Sequence, residues 1–420
     1  MTELCDLTAV ALLARIAAGA ATAEDVRESC LARIAAREVS LQVFAHLDPD
    51  AVRAMRPAPG PLGGLPLGVK DIIDVAGMPT QMNSPIWRGW MPRADAACVA
   101  AARAAGALVI GKTVTTEFAT RHPGPTANPH DVAHTPGGSS SGSAAGVAAG
   151  FFPFALGTQT GGSITRPASY CGVVGYKPSF GLIHRGGIKV MSDSFDTVGV
   201  MARGVADCAL LVGAMAATDL GDPDRHPGRP PRLLVTPGPD AGRIDACMLA
   251  LLDQVATAAR RRGAIVVGND LPPVIAAAEP AHRMVGPFES AQALAWELAS
   301  FSDALTEGLR SRMLQGRSRD GEAIAAARKA LATARAALVD LFADHDAIVT
   351  PAAPAEAPAT RDWTGEPIFN QLWTSLHLPC VAIPTGSGPH GLPLGLQVIG
   401  APGADRQALA WAEWLRSAVA

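Results

Sequence analysis

Four features are missing from these 420 residues, and each absence removes a class of function. No run of about 18 apolar residues occurs, so no stretch is long enough to cross a bilayer as a helix. There is no surplus of positive charge: 35 Lys and Arg stand against 38 Asp and Glu, a formal net charge of -3. A chain so balanced has no general attraction to nucleic acid or to an anionic membrane. The seven cysteines (Cys5, Cys30, Cys98, Cys171, Cys208, Cys247 and Cys380) are odd in number and show no CxxC spacing. A chain of this length has no need of disulfide staples, so scattered thiols point to a reducing compartment. Cys171 and Cys380, in small and apolar contexts, read as packing residues. Finally, no repeat of fixed period is present. Glu3 and Asp6 precede the first apolar stretch and Arg15 interrupts it, which is not the pattern of a secretory leader. The expectation is a cytoplasmic protein without nucleic-acid or membrane partners.

What is present is 48% hydrophobic residues, 17% charged, 43 Gly and 34 Pro, the composition of a globular chain rich in small residues and turns. Such a chain can bury about three quarters of the surface it exposes when unfolded. Apolar residues at helical spacing predict helices over 8–18 and 23–37, the second opened by Thr22 as N-cap with Glu24 and Asp25 in its first turn. Strand-like runs over 42–47, 68–75 and 107–111 then alternate with a helix from Asp95, the rhythm of an α/β fold. Gly and Ser crowd into Thr135–Ser143 and Gly157–Ser163, either side of a helix-like 144–150. Backbone of that kind permits tight turns and close approach of a ligand. The Pro-rich Gly221–Pro231 reads as a linker, but strands (233–236, 264–267) and helices (241–262, 322–343) continue beyond it. Three more strands (347–350, 381–384, 394–399) and a helix from Asp405 finish the chain. The triplet Arg260-Arg261-Arg262 closes the 241–262 helix, where it complements the helix dipole.

Three motifs invite other readings. Gly106-Ala-Leu-Val-Ile-Gly111-Lys112-Thr113 satisfies the phosphate-loop pattern, which makes a nucleotidase a competing hypothesis. Its interior is itself strand-like and follows a helix, whereas a phosphate loop turns freely after a strand, so a core strand is expected. Gly138-Ser139-Ser140-Ser141-Gly142 matches the nucleophile-elbow pattern with Ser140 at its centre, yet His134-Thr135-Pro136-Gly137 is not the apolar strand an elbow requires. His122, His130 and His134 lie near one another in sequence, but Pro129 and Pro136 break any shared helical face, so no metal site is expected.

Three further pieces carry more weight together than apart: Gly68-Val69-Lys70-Asp71, where a lysine interrupts an apolar strand; Pro136-Gly137-Gly138-Ser139-Ser140-Ser141-Gly142-Ser143; and Gly157-Thr158-Gln159-Thr160-Gly161-Gly162-Ser163. Singly they read as a solvated strand lysine and two turns. In this order they resemble the amidase signature family, and the likeness extends to Gly391-Leu392-Pro393-Leu394-Gly395. Met78-Pro79-Thr80, Arg88-Gly89-Trp90, Ser141 where most relatives have Gly, and Gln159 with Arg166 are similar to the malonamidase members in particular. The resemblance implies a single α/β domain over 1–420, with a mixed, mostly parallel central sheet covered by helices on both faces. Within it, 1–65 forms an N-terminal helical segment packed on the domain, 66–205 the signature core, and 221–345 an insertion shaping a substrate lid.

The resemblance also implies the chemistry. Ser163 is the expected nucleophile, Ser139, held in a cis peptide, the proton relay, and Lys70 the general base. The backbone N–H groups of Thr160, Gly161, Gly162 and Ser163 form the expected oxyanion hole. Amide hydrolysis needs those four functions, and Lys70 can act as base only when neutral, which burial among apolar neighbours such as Val69 and Ile72 would favour. Substrate contacts are expected from Arg166, Ser140, Gln159 and His377. Arg166 is placed to bind a carboxylate on a short acyl chain, as in a malonamate; the competing reading is an internal ion pair, for instance with Asp196. Gln159 stands where many relatives have Asp, and His377 where they have Gly, which narrows any cleft that it faces. The expected reaction converts a small carboxamide to carboxylate and ammonia with no cofactor and no metal. Alternatives are an aryl-amide or hydrazide hydrolase on the same triad, with Arg166 structural, and the glutaminase subunit of a tRNA-dependent amidotransferase. A homodimer is left open.

Overall fold

The protein is described here by a computed structural model covering residues 3–225, 227–268 and 270–419. Its eleven strands are β1 (Phe44–Leu47), β2 (Pro66–Lys70), β3 (Leu108–Thr113), β4 (Phe154–Gln159), β5 (Val174–Lys177), β6 (Thr197–Ala202), β7 (Arg232–Val235), β8 (Ile265–Val267), β9 (Ala347–Pro351), β10 (Cys380–Ser387) and β11 (Pro393–Ile399). They form one sheet in the order β1-β3-β2-β4-β6-β5-β10-β11-β9-β7-β8. Successive strand residues face opposite sides. Phe154 and Leu156 thus pack into one apolar cluster and Ala155 into another, so helices cover both faces. The domain is a single α/β unit with a mixed sheet, as expected.

The sheet is not mostly parallel. β2 runs parallel to β3 and β4, and β7 to β8 and β9, but the other six pairings are antiparallel. Two causes operate. β10 and β11 are joined by the short turn 388–392, which can connect only antiparallel neighbours. β4 and β5 flank the helix Thr165–Cys171, the rhythm of a parallel crossover, yet β6 inserts between them and runs antiparallel to both.

Element positions follow the sequence with informative shifts. The two opening helices are Ala9–Ala17 and Ala23–Leu41, and Thr22 accepts from the Asp25 N–H while Asp25 accepts in return, the reciprocal cap that its position predicts. The strand expected over 68–75 ends at Lys70. Gly157–Ser163, read as a turn, begins inside β4. Gly157 is a packing requirement there, since a Cβ would stand 2.9 Å from Ser140 Oγ and 3.2 Å from Met201. The helix-like 144–150 is the helix Ser141–Ala148, sunk against the sheet by its small residues. A Cβ on Gly142 would meet the Val43 carbonyl oxygen at 2.3 Å, and one on Gly146 would meet Phe152 at 2.1 Å.

The phosphate-loop pattern is a core strand, as expected: Gly111-Lys112-Thr113 ends β3, and Lys112 is fully buried, 3.0 Å from Asp71 and 2.6 Å from Thr80 Oγ1. Segment 221–345 contributes β7 and β8 to one sheet edge and the helix Glu279–Ala293, which meets the chain at Thr160, just past the end of β4.

Candidate active site

The site forms where β2, β4 and the Ser-rich turn meet. Lys70 is the last residue of β2 and β4 lies alongside, so the lysine points into a buried space between them. Its Nζ lies 2.7 Å from Ser139 Oγ, 2.7 Å from Thr158 Oγ1 and 3.3 Å from the Thr158 carbonyl oxygen. The peptide Gly138–Ser139 is cis. Burial brings Lys70 down to about 7; Asp196 opposes the shift and Arg166 adds to it. Near neutral pH a good part of the lysine is therefore neutral and able to accept a proton.

Ser163 follows β4 by a short Gly-rich loop and leads into the helix Thr165–Cys171. Gln159, the last residue of β4, holds that loop. Its Oε1 accepts from the N–H groups of Ile164 (2.8 Å) and Thr165 (3.0 Å) and from Thr165 Oγ1 (3.2 Å), while its Nε2 donates to Thr374 Oγ1 (3.0 Å). Ser140 N–H donates to the Ser163 carbonyl at 3.3 Å, joining the loop to the Ser-rich turn. Among the described residues, the N–H groups of Gly161, Gly162 and Ser163 have no acceptor. Gly162 admits no side chain, since a Cβ would stand 2.3 Å from Asn370 Oδ1.

Ser163, Thr160, Gly161 and Gly162 line one open cleft together with Arg166. Arg166 is buried and pulled down to about 10 by burial, and it remains a cation at neutral pH. Its Nε donates to the Thr364 carbonyl at 2.9 Å and its Nη2 to the Gly138 carbonyl at 2.6 Å, whereas Nη1 has no partner among the described residues. The ion pair with Asp196 is not formed. Asp196 instead accepts from Thr160 Oγ1 at 2.5 Å and from the Met191 N–H at 2.6 Å.

The structure corrects three expected substrate contacts. Gln159 is fully buried and consumed by the loop. Ser140 is fully buried too, its Oγ 3.3 Å from both the carbonyl and the N–H of Thr158. His377 lies away from the cleft, stacked on Phe180 at 4.1 Å with its Nε2 2.8 Å from the Ser194 carbonyl. It has φ 66°, so the residue turns the chain, and turning rather than narrowing is what this position does.

Other cleft residues went unnoticed in the sequence. His282 stacks on Phe195 at 4.9 Å, and its Nε2 lies 2.8 Å from the Thr160 carbonyl. Burial holds it down to about 4, so the ring is neutral, donates from Nε2 and presents Nδ1 as an unpartnered acceptor. Gln371 offers an unpartnered Oε1, and Arg121, Arg312 and Trp363 complete the walls. His282, Arg312, Trp363 and Gln371 sit 119 to 208 residues after Ser163, beyond the Pro-rich segment, and Arg121 sits 42 residues before it, all apart from the Gly/Ser motifs. Thr158 is the exception: it stood inside the quoted motif, and its role as a lysine partner follows only from the strand pairing.

His130 Nε2 faces the Cys171 carbonyl at 2.9 Å, so the histidines do not converge. Among the described residues the one group with metal-like spacing is exposed Glu3 and Asp6 with buried Cys5, where Arg33 already pairs with both carboxylates.

A family model described as Amidase matches residues 25–409. The chain is 43% identical over 238 residues to a glutamyl-tRNA(Gln) amidotransferase subunit of Chloroflexus aurantiacus, a match covering 53% of this chain and 49% of that one. It thus spans about half the length of that relative. To the corresponding amidotransferase subunit of Anaeromyxobacter sp. (strain K) it is 34% identical over 467 aligned positions, 95% of this chain and 94% of the other. Among solved structures, the peptide amidase of Stenotrophomonas maltophilia superposes with a TM-score of 0.82 at 31% identity, covering 98% of this chain and 96% of that one. On matches of this extent, and with the Lys70, Ser139 and Ser163 motifs standing in the fold those proteins share, the chain belongs to the amidase signature family of hydrolases.

Proposed function

We propose that the chain hydrolyses a small carboxamide bearing an anionic group, with Ser163 as nucleophile, Ser139 as relay and Lys70 as base. The observation that carries this reading is the buried Lys70 Nζ held 2.7 Å from Ser139 Oγ, on a lysine whose burial brings it to about 7. Ser163 Oγ attacks the amide carbonyl carbon as its proton passes to Ser139, whose own proton passes to neutral Lys70. A hydroxyl suits the middle position because it donates and accepts at once. The N–H groups of the 160–163 loop face the oxyanion that forms, and Ser139, recharged from Lys70, protonates the departing nitrogen. Ammonia leaves, water attacks the acyl-enzyme by the same route, and the carboxylate is released. Arg166 Nη1, buried and unpartnered in the cleft, supports a carboxylate on the acyl chain, in keeping with the likeness to malonamidase. It weighs against an aryl-amide hydrolase, in which that nitrogen would need an internal partner.

The test is turnover of malonamate, simple aliphatic amides and anilides by the wild type and by Ser163→Ala, Lys70→Ala and Arg166→Ala. Ser163→Ala should lose on the order of 10³-fold or more. Undiminished turnover would remove Ser163 from its role, and an equal loss on neutral and acidic amides in Arg166→Ala would remove the carboxylate. A second reading, the glutaminase subunit of an amidotransferase, is favoured by the names of the curated relatives at 34% identity. Glutamine hydrolysis that appears only with copurifying subunits would select it; full activity of the isolated chain on malonamate would reject it.

A further inference from the structure

The cleft that holds Ser163 is lined by three arginines, Arg121, Arg166 and Arg312, and by no Asp or Glu. Among the described residues, neither the Arg121 nor the Arg312 guanidinium has a hydrogen-bond or ion-pair partner. Arg312 is half-buried on the helix Glu307–Arg317, and Arg121 is exposed beside it at the rim. Burial pulls Arg312 down to about 10 and the neighbouring Arg121 charge adds to that shift, with no carboxylate opposing it. Arg319 adds to the field and leaves its own buried Nε unpartnered. Uncompensated guanidinium groups converging on one cleft repel one another, and what offsets that repulsion arrives with the ligand. The cleft is open to solvent, and its lining runs from buried Arg166 through half-buried Arg312 to exposed Arg121, so further groups of a ligand extend from the floor toward the rim.

We propose that Arg312 and Arg121 form a second anion subsite, so that the preferred substrates are monoamides whose acyl part carries two anionic groups. One is taken at the cleft floor by Arg166 and one nearer the mouth by Arg312 and Arg121. This rests on the amidase reading above and extends it from a singly to a doubly charged acyl group. A guanidinium is suited to either position, because its planar fork meets a carboxylate through two parallel N–H donors.

Two measurements test it. The first compares kcat/KM for succinamate, a monoanion, with that for the monoamide of tricarballylic acid, a dianion. The dianion should be favoured by about tenfold or more in the wild type, as one charge-assisted bond predicts. In Arg312→Gln and Arg121→Gln that preference should collapse toward one, chiefly through KM. The ratio is internal to each sample, so a poorly folded variant moves both numbers together. The second is calorimetric binding of tricarballylate and succinate, which needs no turnover. Tricarballylate should bind about tenfold more tightly, with a preference that weakens as salt is added and is lost in Arg312→Gln. Equal binding of the two acids, or a preference that survives both substitutions, overturns the second subsite. Absence of turnover with the binding preference intact overturns the amidase reading alone and leaves the subsite standing.

Discussion

At the scale of single residues, the proposed mechanism turns on the charge state of Lys70. Its neutral form is the base, and burial brings it to about 7, so kcat/KM should climb with pH through a limb centred near 7 and level off above it. A pH-rate profile that is flat from pH 6 to 8 would contradict this. Thr158 sharpens the point. Its Oγ1 accepts a lysine N–H at 2.7 Å, as close to Nζ as Ser139 Oγ is. An acceptor at that distance also favours the charged lysine, so Thr158→Val should move the limb to lower pH while lowering kcat by about tenfold. A loss of kcat with an unmoved limb would make Thr158 a packing residue only.

At the scale of elements, the site depends on how β4 ends and how the helix Ser141–Ala148 seats. Gln159 closes β4 and satisfies the first N–H groups of the helix that follows Ser163, groups that no earlier turn can serve. Gln159→Leu removes four hydrogen bonds and leaves buried donors unmet, so a loss of about 2–4 kcal/mol is expected in urea unfolding. Gly142 sits flush on backbone, with a Cβ projected 2.3 Å from the Val43 carbonyl oxygen and 2.6 Å from the Val114 nitrogen. Backbone cannot step aside as a side chain can, so Gly142→Ala should cost about 3 kcal/mol or more by the same measurement.

At the scale of the whole molecule, the buried Lys70 is a burden on stability. Lys70 titrates near 7 in the folded protein and near its ordinary 10.5 when unfolded. Between those values the unfolded chain holds the extra proton, so this group makes stability rise with pH, by about 1.4 kcal/mol per unit. Other buried groups contribute slopes of their own, so the informative quantity is a difference. Lys70→Met should be more stable than the parent at pH 7, by a margin that shrinks as the pH is raised to 8.5. A margin independent of pH would mean that Lys70 is not held neutral by the fold. The segment 221–345 acts at this scale too. It widens the sheet with β7 and β8 and, from the helix Glu279–Ala293, brings His282 to the Thr160 carbonyl.

The sequence by itself determined the fold class and the motif residues, because α/β alternation, helix caps and Gly/Ser clusters are local consequences of backbone preference. Thr22 caps its helix as its neighbours dictate, and Lys112 lies in a strand because Ala-Leu-Val-Ile before it can do little else. Tertiary structure decided what depends on residues distant in the chain. It placed β6 between β4 and β5, adding two antiparallel pairings where a mixed, mostly parallel sheet was expected. It kept Gln159, Ser140 and His377 out of the lining of the cleft and put His282, Gln371, Arg121 and Arg312 in its walls. The physical reason is range: a cap or a strand is specified within a few residues, whereas a cleft is specified only when burial has chosen which distant surfaces meet.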